Sequence, residues 1–153
     1  MSSESRRLVI REASLSDVSS IAALITQLGY PATSSEVSDR LAYWLPDPMS
    51  VILVAEADRR VVGCLSLHAI PYLEQTGRWA RIESLVVDES VRGTGAGRAI
   101  IAAAEQTARH WNCLAVEVTS LRSRTGAHAF YREMGYNDVC DQSGRFLKPL
   151  SDS

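Results

Sequence analysis

Lysine is almost absent from this chain of 153 residues, where Lys148 stands alone among basic residues that are otherwise arginine. Those arginines are scattered, and none of them builds the dense basic stripe that duplex binding demands, so no nucleic-acid partner is expected. Charge of one sign is missing as well: 16 basic against 18 acidic residues leave a net charge of -2. Cysteine is scarce and odd in number. Cys64, Cys113 and Cys140 form no C-x-x-C pair, which speaks against a disulfide scaffold, and no His/Cys/Asp set has metal-site spacing. Each cysteine lies in an apolar segment that reads as strand, so buried thiols are expected. No apolar run exceeds the six residues 99–104, against roughly 20 for a membrane span. The opening M-S-S-E-S-R-R has no apolar stretch after its basic pair, so no secretory signal, no membrane partner and a cytoplasmic location are expected.

What remains is a composition that can build a core. Hydrophobic residues make up 46% and charged residues 22%, the balance of a soluble globular protein, and the length suits one domain over residues 1–153. No internal repeat interrupts it. Residues 8–11 read as a first strand. Ser14 with Asp17, and Thr33 with Glu36, have capping-box spacing and open two helices. The first carries Val18, Ile21, Ala22, Ile25 and Leu28 on one face and stops at Gly29. The second turns Val37, Leu41, Trp44 and Leu45 inward and stops at Pro46.

Strands over 51–56, 61–70 and 79–87 follow, with a turn at Asp58-Arg59-Arg60. Short links make them an antiparallel meander. A helix to about His110, a strand over 114–118, a helix over 125–134 and two short strands, 136–140 and 145–148, complete the pattern. The strand–loop–helix–strand stretch from 79 to 118 is a crossover, so its strands are expected to run parallel. The fold class is α+β, an αβα sandwich. Its sheet is mixed but mostly antiparallel, with one central parallel pair and helices on both faces.

The informative segment is V-V-D-E-S-V-R-G-T-G-A-G-R-A-I-I, residues 86–101. Glycines at 93, 95 and 97 alternate between a strand and the first turn of a helix. Glycine admits positive φ and close ligand approach, and a helix start offers unpaired N–H groups with a partial positive charge. Together they suit phosphate oxygens, with Arg92 and Arg98 on the flanks. A turn without ligand is the plainer alternative, although three glycines weaken a helix start for no return. A P-loop is excluded because no Gly-Lys pair exists. The dinucleotide fingerprint G-x-G-x-x-G fails at Arg98, yet Glu117 stands about 20 residues on, where a ribose acid belongs, and that reading stays open.

Three segments carry a resemblance to a known family. Arg92, Gly95 and Gly97 match the [RQ]-x-x-G-x-[GA] signature of the GNAT family of N-acetyltransferases. I-E-S-L-V-V at 82–87 resembles that family's central strand, and A-H-A-F-Y-R-E-M-G-Y at 127–136 its second motif. The resemblance implies acetyl-CoA as donor, held between two parallel strands that splay apart. Its pantetheine arm would lie along Leu85, Val86 and Val87, pairing with the backbone of Leu85 and Val87. The pyrophosphate would rest on Gly93, Thr94, Gly95, Ala96, Gly97 and Arg98. Many members carry an asparagine where this chain has Arg124, which would then reach a phosphate or an anionic substrate.

Transfer chemistry implies a base and an acid. An alkyl amine with a pKa of about 10.4 is mostly protonated at neutral pH, and the resemblance implies Glu83, on the family's central strand, as the base, direct or through water. The alternative for Glu83 is an ion pair with Arg78 or Arg81. Tyr131 matches the family's general acid for the leaving thiolate, with a plain core role as its alternative. His68, His110 and His128 read as packing or helix-end groups. Tyr30, Tyr43, Trp44, Tyr72 and Trp79 are either core or the walls of a pocket.

The stretch L-S-L-H-A-I-P-Y-L-E is similar to small-molecule members that act on aminoalkylphosphonates, and Arg122, Arg124 and Arg145 would suit an anionic headgroup. A small-molecule amine is the expected partner. A non-catalytic acyl-CoA-binding module and a protein N-terminal or lysine acetyltransferase remain the alternatives. Members often form homodimers, and the apolar late strands leave that open here.

Overall fold

Asp58 and Arg59 turn the chain back on itself. Both hold positive φ, 52° and 63°, the geometry of a two-residue hairpin loop. They join β2 (Ser50–Ala57) to β3 (Arg60–Pro71). Arg60, assigned from the sequence to the turn, already pairs with Ala57. The structure, a computed structural model, describes residues 7–121 and 124–151, and its contacts gather into two compact units, residues 1–119 and 120–153.

The first unit begins with β1 (Leu8–Glu12), a 3-10 turn (Leu15–Asp17), α1 (Val18–Leu28) and α2 (Ser34–Trp44). After β2 and β3 come β4 (Arg78–Val87), a second 3-10 turn (Glu89–Val91), α3 (Ala96–His110) and β5 (Cys113–Val118). The strands form one sheet in the order β1-β2-β3-β4-β5. Its first three junctions are antiparallel and β4–β5 is parallel, as the crossover implied. Because β5 is the last strand of the order, the parallel pair closes one side of the sheet and does not lie at its centre.

Both capping boxes form. Thr33 Oγ1 accepts from the Glu36 amide, and Glu36 Oε1 accepts from the Thr33 amide. The Ser14 amide donates to Asp17 Oδ2 at 2.9 Å. Asp17 is buried and held by both terminal nitrogens of Arg11, at 2.8 and 2.9 Å. Those bonds keep its carboxyl below the usual aspartate range, against the effect of burial. Arg11 also donates to Glu56, which ties β1 to β2 and to the entrance of α1.

Residues 51–55 of β2 are buried at every position. A strand can manage that only when both faces are covered, because its side chains alternate. On one face Ile52, Val54, Cys64 and Val86 join Ile21, Leu24, Val37 and Leu41 from α1 and α2. The alternate residues Val51 and Leu53, with Leu65 and Leu67, lie on the face of α3, which buries Ile100, Ile101 and Ala104 against the sheet. Each large aliphatic side chain so buried is worth roughly 1.5–3 kcal/mol. Leu45, expected inward, is 41% exposed because α2 ends one residue earlier. Among the described residues no helix is long and apolar enough to cross a membrane.

The second unit holds α4 (Thr125–Glu133). The strands expected over 136–140 and 145–148 do not form. Asp138 explains the first: its side chain accepts from the Cys140 amide at 3.0 Å, and the amides of Gln142 and Ser143 both turn back to Val139 O. An Asx turn of this kind competes with any strand ladder. For the second, Phe146 and Leu147 are exposed and give a strand no apolar face to bury.

Of the three cysteines expected to be buried in strands, Cys64 meets the expectation and Cys113 and Cys140 correct it. Cys64 is buried, and burial pushes its thiol up to about 12. Cys113 is half-buried at the first position of a strand on the sheet's edge, and Cys140 is exposed in the Asp138 turn.

Candidate active site

β4 carries one residue more than its partner needs. Ser66 pairs with Ser84 and Leu67 pairs with Ile82, so Glu83 is left over as a β-bulge. Its carboxylate is exposed, and Oε2 accepts from Ser66 Oγ at 3.1 Å and from Ser84 Oγ at 3.0 Å. Among the described residues no ion pair engages it. Arg81 leans instead toward Glu117 at 3.7 Å, and Arg78 donates to Met49 Sδ. The two serines that aim Glu83 were not singled out from the sequence. Their signal was the serine in L-S-L and in E-S-L, two polar positions that the strand register sets opposite each other.

Beyond the bulge β4 loses a neighbour. β5 pairs with it only as far as Ile82 and Val118, so no described strand pairs with residues 83–87 on that side. The backbone direction there follows from one bond. The Asp88 amide donates to Val62 O at 2.8 Å. In an antiparallel ladder alternate residues direct their N–H and C=O to the same side. Val86 therefore faces β3, while Leu85 and Val87 direct theirs to the unpaired side.

The loop that follows is tied down before it reaches its glycines. Asp88 accepts from the Ser90 amide and hydroxyl and from Gln27 Nε2, which hold its carboxyl at about 2. The Glu89 amide donates to Gln27 on α1, and Arg60 reaches Ser90. Gly93 and Gly95 have φ of 82° and 91°, and a Cβ at either would meet nothing within 4 Å. The glycines are thus required for backbone direction, and the space beside them is open. Gly95 is the N-cap of α3 and has no side chain to close the first turn. The amides of Ala96 and Gly97 consequently have no partner among the described residues. Arg92 and Arg98 are exposed on either side.

Tyr131 and Arg124 belong to the second unit. Arg124 is the N-cap of α4, and its carbonyl accepts from the His128 amide. Tyr131 packs its ring against Phe130 and Tyr136. Burial raises its phenol above the ordinary tyrosine value, while Arg124 pulls the other way. Its hydroxyl has no hydrogen-bond partner among the described residues. His128 Nε2 meets Leu121 O at 2.9 Å, a helix-end contact. Arg145 is exposed, and Arg122 lies outside the described residues. Of the aromatic residues, Tyr30 and Tyr43 are exposed, Tyr72 and Trp79 stack with centroids 4.8 Å apart, and Trp44 stands against His68.

An unpaired strand edge, a helix start without a cap and an aimed carboxylate thus follow one another along a short stretch of chain. The family model described as "Acetyltransferase (GNAT) family" matches residues 19–136. The chain is 32% identical over 142 residues to the aminoalkylphosphonate N-acetyltransferase of Salmonella typhimurium, covering 92% of this chain and 90% of that one. It is 28% identical over 118 residues to the aminoglycoside N(6')-acetyltransferase type 1 of Klebsiella aerogenes, covering 76% and 77%. Among solved structures, one described as a transcriptional regulator from Bacillus halodurans superposes with a TM-score of 0.83 at 22% identity, over 95% of this chain and 100% of that one.

Proposed function

The chain belongs to the acetyltransferase (GNAT) family, whose members take their acetyl group from acetyl-CoA, and from that premise we propose that it acetylates the primary amine of a small molecule, with Glu83 as general base. The observation that carries this reading is the pairing of Glu83 with Ser66 and Ser84, directly before the backbone edge that no described strand occupies. A carboxylate used for stability would be matched to an arginine. This one is matched to two hydroxyls, which aim it and leave its charge free to receive a proton.

In this reading the amides of Ala96 and Gly97, at the positive end of the α3 dipole, hold the donor's pyrophosphate, and Arg92 adds charge-assisted bonds. Leu85 and Val87 take the pantetheine arm as an added strand. Glu83 removes the proton that an alkyl ammonium carries at neutral pH, and the amine nitrogen then attacks the thioester carbonyl. A backbone N–H near Leu85 or Val87 meets the charge that develops on the carbonyl oxygen. As the C–S bond breaks, Tyr131 supplies a proton to the thiolate, and the nitrogen gives up its remaining extra proton to water, from which the Tyr131 phenolate is restored. Its raised phenol keeps that proton available throughout the neutral range.

An aminoalkylphosphonate or another anionic amine is the first acceptor to try, since the Salmonella relative carries that name at 32% identity. Release of free thiol from acetyl-CoA across a panel of amines tests the whole reading. Transfer to at least one small amine is expected. Tight acetyl-CoA binding with no release for any amine would mark a non-catalytic acyl-CoA-binding module instead. Tyr131→Phe is expected to lower kcat and leave acetyl-CoA affinity nearly intact, and wild-type turnover in that variant would remove Tyr131 from the mechanism.

A further inference from the structure

A second polar cluster lies on the same face of the sheet as Glu83. Asp47 follows α2, Ser50 opens β2, and His68 is the β3 residue that pairs with Ser50. Ser50 Oγ donates to Asp47 Oδ2 at 2.8 Å and lies 2.6 Å from His68 Nδ1, which is itself 3.8 Å from the same carboxylate oxygen. The Met49 amide and the Ser50 hydroxyl hold the Asp47 carboxyl below its usual range, so near neutrality it only accepts. A serine hydroxyl has one proton to give, and that of Ser50 goes to Asp47. The short Ser50–His68 contact therefore needs its proton on Nδ1, and Nε2 is the nitrogen left for a ligand. Trp44 walls the ring edge-on, and the imidazole side chain is 42% exposed.

The surroundings decide what that ligand is. Ser66 and His68 are alternate residues of β3, on one face and about 6.6 Å apart, and Ser66 holds Glu83. Arg81 stands directly across from His68 in the β3–β4 ladder. Its Nε is buried and, among the described residues, has no hydrogen-bond partner, lying 3.7 Å from Glu117 Oε1. The charged groups around the ring are thus Asp47 behind it, Arg81 beside it with Glu117 as counter-ion, and Glu83 one step along the strand. With Nδ1–H already given to Ser50, an anion brought to the exposed edge of the ring would stabilise a second proton at Nε2. The face offers negative charge at Glu83 and, one step along the strand, the cation of Arg81 beside the exposed Nε2 of His68.

We propose that His68 is a positioning residue for the acceptor: its Nε2–H binds an anionic group at the far end of a short amine whose ammonium sits at Glu83. The assignment rests on the reading of Glu83 given above and narrows the substrate class to zwitterionic amines. Such a molecule matches the face charge for charge, whereas a neutral alkylamine leaves the donor at His68 unused.

Steady-state kinetics with 2-aminoethylphosphonate and with propylamine test it in the wild type, His68→Gln and Ser50→Ala. The ratio of kcat/KM for the phosphonate to that for propylamine is expected to fall by roughly tenfold or more in His68→Gln, the scale of one lost charge-assisted hydrogen bond, with the loss carried in KM. Ser50→Ala, which keeps the imidazole but frees it from Asp47, is expected to shift the ratio the same way by less. An unchanged ratio, or equal losses on both amines, would overturn the proposal. Nitrogen NMR of the imidazoles during titration with methylphosphonate, without amine or acetyl donor, gives a readout independent of turnover. A saturable shift at His68 is expected, and its absence would overturn the assignment even if acetyl transfer were confirmed. A shift at His68 in a protein that acetylates no amine would keep the anion site and sink the reading of Glu83.

Discussion

α2 starts at Thr33, whose hydroxyl and partner Glu36 close the first turn with a 3.1 Å bond in each direction, whereas α3 starts at Gly95, which offers no side chain at all. Both helices belong to the same unit and pack on the same sheet, so the contrast is not one of surroundings. The α2 start satisfies its own amides; the α3 start leaves those of Ala96 and Gly97 without a partner among the described residues. The same division separates two carboxylates. Asp17 is enclosed by Arg11 and adds stability, while Glu83 is held by hydroxyls and adds none of comparable size. Groups that close on the chain are expected to report on folding when altered, and groups that stay outward-facing on ligand and turnover.

Four substitutions test that division, from the largest expected effect to the smallest. Arg11→Met leaves Asp17 buried and unpaired. Breaking a buried pair costs about 3–5 kcal/mol, and with Arg11 about one-third exposed the loss expected in urea unfolding is roughly 2–4 kcal/mol, with acetyl-CoA affinity of the folded fraction intact. pH sharpens this. A depressed Asp17 contributes fully above the unfolded aspartate value near about 3.9, and that contribution drains away as pH falls through the folded value. The variant is expected to show a shallower loss of stability in acid.

Gly95→Val comes next. A β-branched residue at φ 91° is strained and turns the α3 amides aside, so calorimetry is expected to show acetyl-CoA binding weakened on the order of 30-fold, about 2 kcal/mol. Glu83→Gln is expected to lower kcat/KM by at least about tenfold, most at lower pH where the amine is most protonated, with little change in urea midpoint. An unchanged pH–rate profile would take Glu83 out of the reaction. Thr33→Ala removes a cap and is expected to cost about 1 kcal/mol of stability with acetyl-CoA affinity unmoved. If it weakened the cofactor as much as Gly95→Val does, the contrast between the two helix starts would have no meaning.

The periodic parts of the chain were legible before any coordinates. Alternation and capping residues located the first five strands and all four helices within a residue or two, because most of those segments bury a face and their pattern records it, although β1, β5 and α4 hold no fully buried residue. The tail was not legible. Residues 136–140 have strand composition, but Asp138 offers a local bond that a strand must forgo, and propensity alone does not weigh the two. Leu45 was misjudged for a related reason, since helical spacing runs past the point where the helix stops. At the candidate site the glycines stood out by type and spacing, and Glu83 only through the family resemblance of its strand. Ser66, Ser84 and the Asp47–Ser50–His68 cluster did not, because each depends on which residues the register sets opposite one another, and a single bulge alters that register.

Glu83 is the one residue of β4 that the ladder does not count. Were it deleted, Ile82 and Ser84 would become neighbours already pointing to opposite sides, each still facing its present partner on β3. The shortened strand would be more regular than the natural one, and every core position would stay where it is. A carboxylate carried as a supernumerary residue costs the sheet none of its packing: the ladder closes around it, and no part of the hydrophobic interior is given up to make room for it.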